Sequence, residues 1–128
     1  MRSFTFHPGP RLIAGSGKAG NLAELLPDGP CLFVSDQQLV GLGLTDAPRR
    51  AREESARIII LLDRVEPDPS RTTLEAAVEA ARSAGVTSVV GFGGGSPMDV
   101  AKLAAYLLGC GDDLDSIWGV DLAKGQRL

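Results

Sequence analysis

Short apolar runs alternate along this chain with longer stretches whose apolar residues recur at helical spacing. The first strong run is Cys31 to Ser35, the second Arg57 to Leu62, and the third Thr87 to Phe92. Each is apolar at consecutive positions, as strands of a parallel sheet covered on both faces are. Arg11 to Ala14 reads as an additional edge strand. Four helices are predicted between and after these runs. Lys18 to Leu26 is stopped by Pro27. Thr45 to about Ser55 carries Pro48 in its first turn, where a missing N–H is tolerated. The third helix opens on the capping-box spacing of Thr72 and Glu75, continues through Ala76, Ala77, Val78, Ala80 and Ala81, and ends at Gly85. The fourth runs from Pro97 to about Leu108, with Ser96 as N-cap and Gly109 as its stop.

Strands that alternate with helices imply right-handed crossovers and an α/β fold, a parallel sheet with flanking helices. The tail from Gly111 to Leu128 reads as loop. At 128 residues the chain has the length of one ordinary domain. No internal repeat or linker divides it.

Composition narrows the function. The formal net charge is −3, which argues against a protein that tracks nucleic-acid phosphates. The one basic run, Arg49, Arg50, Arg52 and Arg57, is interleaved with Glu53 and Glu54 and reads as a solvated helix face. Apolar residues are 44% of the chain, but no stretch is continuous enough to span a membrane. The start, MRSFTFHPGP, lacks the apolar core of a signal peptide, and Cys31 and Cys110 form no disulfide framework. A cytoplasmic protein is expected. The single histidine, His7, lies in a turn-rich start, so a metal site built from several histidines does not fit within one copy.

Glycine is the anomaly: 16 residues, about 12% of the chain against a typical ~7%. The informative cluster lies in Val90-Gly91-Phe92-Gly93-Gly94-Gly95-Ser96-Pro97-Met98-Asp99, between a strand and a helix. Glycines let backbone approach a ligand closely, and a helix N-terminus presents free N–H groups and a favourable dipole to an anion. The alternative is a tight strand-to-helix turn with no ligand, although successive glycines exceed what a turn needs. Gly91, Gly93 and Ser96 only loosely match the Rossmann G-x-G-x-x-G, whose third glycine is missing. Gly15-Ser16-Gly17-Lys18 fails as a P-loop because Leu12 replaces the first glycine and Ala19 the required hydroxyl residue. Asp36 ends the first strong strand, where open α/β sheets bind ligands. It reads equally as a ribose acceptor and as the N-cap of a turn over Gln37 to Val40.

The segment Gly93-Gly94-Gly95-Ser96-Pro97-Met98-Asp99-Val100-Ala101-Lys102 resembles the nucleotide-binding signature of the iron-containing (group III, metal-dependent) alcohol dehydrogenases. Supporting pieces follow the family's order. Leu12 to Gly17 is similar to its opening strand and turn, Val34-Ser35-Asp36 to its acid-bearing strand, Val65-Glu66-Pro67-Asp68-Pro69-Ser70 to its proline loop, and Gly119-Val120-Asp121 to a later segment. Glycerol dehydrogenase relatives usually carry Lys where Ser96 stands, and maleylacetate reductases usually lack the acid matching Asp99.

The resemblance implies a Rossmann-like N-terminal domain of the dehydroquinate synthase-like superfamily, spanning residues 1–128 and incomplete. It implies that Gly94, Gly95 and Ser96 hold a cofactor pyrophosphate and that Asp99 lies near the nicotinamide ribose. Lys102 would support the loop, Asp68 would lie near the adenine, and Asp36 would face the adenosine ribose and favour NAD over NADP. The family's Fe2+ or Zn2+ ligands, an aspartate and three histidines on a helical domain, match nothing in this chain. The implied enzyme interconverts alcohols with aldehydes or ketones by hydride transfer. These 128 residues alone are expected to be inactive and, with an open sheet edge, marginal or self-associating. A stand-alone, non-catalytic nucleotide-binding module remains the alternative.

Overall fold

A computed structural model describes residues 11–56, 59–66, 69–117 and 122–128. In chain order the elements are β1 (Cys31–Val34), α1 (Gln37–Gly41), α2 (Asp46–Ala56), β2 (Ile59–Leu62), α3 (Arg71–Ser83), β3 (Ser88–Gly91) and α4 (Gly95–Cys110). Two 3-10 helices, Lys18–Leu25 and Leu114–Ile117, lie before β1 and after α4. The strands form one parallel sheet in the order β2-β1-β3, which is the predicted α/β architecture.

Period-2 alternation divides the sheet into two faces. Leu32 pairs in register with Ile60 and Val89, and Val34 with Leu62 and Gly91. This face packs on α3 and α4 through Leu74, Ala77, Val78, Ala81, Val100, Ala101, Ala104 and Leu107. Cys31 and Phe33 occupy the opposite positions and are fully buried. The central strand is therefore buried on both faces, as its unbroken apolar run requires. The chain moves from the central β1 to β2 on one side, and the β2-to-β3 crossover then passes over β1 to the other side.

Several boundaries differ from the sequence expectation. Arg11 to Ala14 forms no strand; Leu12 is 88% exposed and has no pairing partner among the described strands. The first helix is 3-10, with a non-helical backbone at Asn21. It opens on Gly17, whose φ of 73° lies in the left-handed region and which offers no side-chain cap. Pro48 does sit in the first turn of α2, and Arg49 and Glu53 pair across it at 4.0 Å.

The N-cap of α3 is Ser70, not Thr72: its Oγ accepts from the Thr73 amide at 3.2 Å. Glu66 does from upstream what the third helical residue does in a capping box, accepting the Ser70 amide at 3.0 Å. Glu75 pairs instead with Arg71, one turn away. Gly85 follows α3 in the left-handed region, as expected of its stop.

The fourth helix begins before Pro97 and ends after Gly109. Its N-cap is Gly94, and the first intrahelical bond runs from the Met98 amide to the Gly94 carbonyl at 3.4 Å. Ser96 therefore does not cap it. Pro97 becomes the third helical residue, where no intrahelical acceptor awaits an N–H and proline costs little. Gly109 is interior, because a Cβ there would collide with the backbone of Gln126 to Leu128 lying across the helix. The actual stop is Gly111, with φ of 70° and its amide bonded to Leu107 O.

The junction between β3 and α4 is also close-packed. A Cβ on Gly91 would stand 2.8 Å from the Ala101 Cβ and 3.1 Å from the Met98 Cα. Backbone cannot yield there as a flexible side chain can. Gly91→Val is expected to lower unfolding free energy by about 1–3 kcal/mol, the range for overpacking a closed site. Urea denaturation followed by circular dichroism checks this.

Candidate functional site

Parallel strands end at one edge of the sheet, and the loops leaving all three strands meet there. They enclose an open cleft of about 580 Å³. The loop after β1 contributes Asp36, Gln37 and Gln38; the loop after β2 contributes Asp63, Arg64, Val65 and Glu66; and the β3–α4 junction contributes Gly94 to Pro97. A cleft at the carboxyl ends of strands, beside a central strand whose successors lie on opposite sides of it, is the usual ligand position in open α/β sheets.

Backbone bonds continue beyond the strands and fix these loops. The Ser35 amide donates to Leu62 O at 2.8 Å, and the Phe92 amide donates to Val34 O at 2.9 Å. The fully buried Ser35 hydroxyl donates to Phe92 O at 2.9 Å. Ser35 thus ties the loop after β3 to the central strand, and Phe92 stacks on Phe33 with ring centroids 6.0 Å apart. Sequence reasoning assigned Ser35 no role. Its signal was a polar residue directly after a wholly apolar strand.

Glycines 93 to 95 divide into two kinds. Gly93 has φ of +140°, and a Cβ there would meet Leu39 at 2.9 Å and Pro97 at 3.2 Å. The fold itself requires that glycine. Gly94 and Gly95 differ: a Cβ on either has no protein atom within 4 Å. Gly94 has φ of −78°, open to any residue, and Gly95 is helical. A turn made only for tight packing would not need glycine at either place. Their amides and that of Ser96 have no protein acceptor among the described residues. Small, unpaired backbone therefore faces the cleft at a helix N-terminus, an arrangement suited to an anion.

Asp36 caps α1: its Oδ1 accepts from the Leu39 amide at 2.9 Å. It also lines the cleft, so the two sequence readings of this residue are compatible. Gly94, Gly95, Ser96 and Asp36 are brought together. Asp99 is not among the cleft residues; its carboxylate is exposed and lies 3.7 Å from Lys102 Nζ, one turn along α4. Asp68 and the Gly119 to Asp121 segment lie outside the described residues, as does His7. Cys31 and Cys110 are free thiols.

These observations can now be set beside known proteins. A family model described as iron-containing alcohol dehydrogenase matches residues 9–127. This chain belongs to the iron-containing alcohol dehydrogenase family. Long-chain-alcohol dehydrogenase 1 of Geobacillus thermodenitrificans is 42% identical over 77 residues, covering 59% of this chain and 19% of that protein. Sulfoacetaldehyde reductase of Bilophila wadsworthia is 24% identical over 129 residues, covering 98% of this chain and 33% of that protein. Among solved structures, sulfoacetaldehyde reductase from Bifidobacterium kashiwanohense in complex with NAD+ superposes with a TM-score of 0.67 at 26% identity, over 84% of this chain and 29% of that one. The chain thus spans a fifth to a third of the length of these iron-containing alcohol dehydrogenase relatives.

The cleft wall formed by the loop after β2 is held by Glu66. Its carboxylate lies at a pKa of about 2, below the ordinary 4.5, because it accepts first the Ser70 amide, then its own amide and the Thr73 hydroxyl. A depressed carboxylate stabilises the fold fully above its unfolded pKa and loses that contribution as pH falls through the folded one. The stability advantage of the parent over Glu66→Gln is therefore expected above about pH 4.5 and should fade toward pH 2. Carboxyl carbon shifts read by NMR titration check the midpoint; a midpoint near 4.5 would contradict it.

Proposed function

We infer that these residues form the cofactor-binding part of an NAD-dependent, metal-dependent alcohol dehydrogenase. The cleft would seat the dinucleotide diphosphate on the backbone of Gly94, Gly95 and Ser96. The observation that carries this reading is the open space beside Gly94 and Gly95, which the protein does not fill and a phosphate could. Residues 1–128 would form the N-terminal nucleotide-binding domain, incomplete beside its relatives.

NAD supplies hydride chemistry at its nicotinamide when bound. This chain's residues would bind and orient it. The N-terminus of α4 would offset the diphosphate charge, and Asp36 would accept hydrogen bonds from the adenosine ribose diol while repelling a 2′-phosphate. Asp99 would act near the nicotinamide ribose from the exposed face of α4. The substrate would be a small alcohol or aldehyde, and the location cytoplasmic; among the described residues no helix is long and apolar enough to cross a membrane. The metal finds no fit here: among the described residues no group of three or more His, Cys, Asp or Glu side chains could hold an ion. No metal-dependent step is assigned to them, and the 128 residues alone are expected to oxidise no alcohol. A second copy of the chain would dock along a sheet edge.

Two variants test the cradle. Gly95→Ala places a good helix former at a helical position and should leave stability unchanged or raised by up to about 1 kcal/mol. Gly94→Val should likewise fold. Both should weaken ADP-ribose binding at least tenfold in calorimetric titration, because the new side chain occupies the phosphate position. Unchanged affinity would remove the reading.

Asp36→Asn keeps an N-cap of equal quality and removes only the charge. It should tighten binding of 2′-phosphorylated ADP-ribose relative to ADP-ribose by about tenfold, as expected for one unit charge removed from a partly solvated site. An unchanged ratio would place the ribose elsewhere.

A further inference from the structure

The cleft also contains a cation. Arg64 follows β2 and lines the same cavity as Asp36 and Gly94 to Ser96. Its neighbour Val65 is buried, only 6% exposed, and packs into the core under α3, so the backbone at this point is anchored. Arg64 itself is exposed. The ion pairs among the described residues involve Arg49, Arg71, Arg82 and Lys102, and none involves Arg64.

Asp36, Asp63 and Glu66 share the cleft with it, and two of these acids have other commitments. Glu66 accepts from the Ser70 amide and the Thr73 hydroxyl, and Asp36 Oδ1 accepts from the Leu39 amide. Arg64 thus stands on anchored backbone, with no ion pair among the described residues, in a cleft whose other anion-seeking feature is the start of α4.

Position gives this cation a chemical meaning. The sheet order is β2-β1-β3, so the glycine junction after β3 and Arg64 after β2 flank Asp36 after β1. At the usual strand spacing they are separated by about 10 Å. A diphosphate on Gly94 to Ser96 with its adenosine running across β1 brings the ribose 2′ position toward β2. There a guanidinium offers a bidentate fork matched to phosphate.

We propose that Arg64 is a specificity-determining residue that receives the 2′-phosphate of a phosphorylated dinucleotide, so that the cleft accepts NADP as well as NAD. Asp36 and Asp63 repel that phosphate and Arg64 attracts it, which keeps the affinities for the two dinucleotides close. This rests on the dinucleotide reading of the cleft, and its test separates the two.

The test is calorimetric titration of the 128-residue chain with ADP-ribose and with 2′-phospho-ADP-ribose. The parent should bind the two within tenfold of each other. Arg64→Ala should weaken the 2′-phosphorylated ligand at least tenfold and change ADP-ribose by less than twofold. Arg64→Lys, which keeps the charge but not the fork, should restore part of the loss, and added salt should narrow the difference. Arg64 is exposed, so the variants should keep the parent's unfolding midpoint. An equal loss for both ligands would make Arg64 a general wall of the site and overturn the proposal. So would no change for either. Failure of the parent to bind either ligand would overturn the dinucleotide reading and this proposal together.

Discussion

The cleft depends on how closely α4 sits on β3. Residue 91 lies at the end of the strand, faces the helix and has no side chain to hold it away. That approach places the first turn of α4 beside the end of the central strand, where Ser35 fixes the intervening loop by its bond to Phe92 O. With this junction closed, the backbone from Gly94 to Ser96 can face a space bounded by the loops after β1 and β2. A helix seated further out would still be well formed, but its amides would open to bulk solvent rather than to a bounded cleft.

The glycines show how structural and functional constraints separate. Gly91 and Gly93 are demanded by contacts within the protein, and Gly93 also by its backbone angle. Gly94 and Gly95 meet no such demand. In a helix, glycine is a destabilising choice by about 0.5–1 kcal/mol relative to alanine. At position 95 no internal contact requires it, and the residue lines the cleft.

Much of the architecture was legible in sequence because it rests on local rules. The unbroken run at Cys31 to Val34 read correctly as a doubly covered strand, and Gly85 as the stop of α3. The errors arose where a distant contact overrode a local signal. Gly109 resembled a stop, yet the tail backbone packs on it and the helix continues to Cys110. Thr72 and Glu75 had capping-box spacing, but Glu66 supplied the carboxylate from upstream and moved the cap to Ser70. Arg11 to Ala14 had strand composition, but no described strand lies beside it to pair with. At the site, the glycine cluster and Asp36 were visible as a motif. Arg64 was not, because an arginine in a loop carries no pattern until the sheet order places it opposite the glycines.

As proposed above, the backbone of Gly94, Gly95 and Ser96 would seat a diphosphate. Amide NMR shifts recorded during titration with ADP-ribose test it most directly. The account predicts saturable shifts that are largest at Gly94, Gly95 and Ser96, with smaller ones around Asp36, and little change along α3. Saturable shifts centred elsewhere, or none at these amides at millimolar ligand, would contradict it.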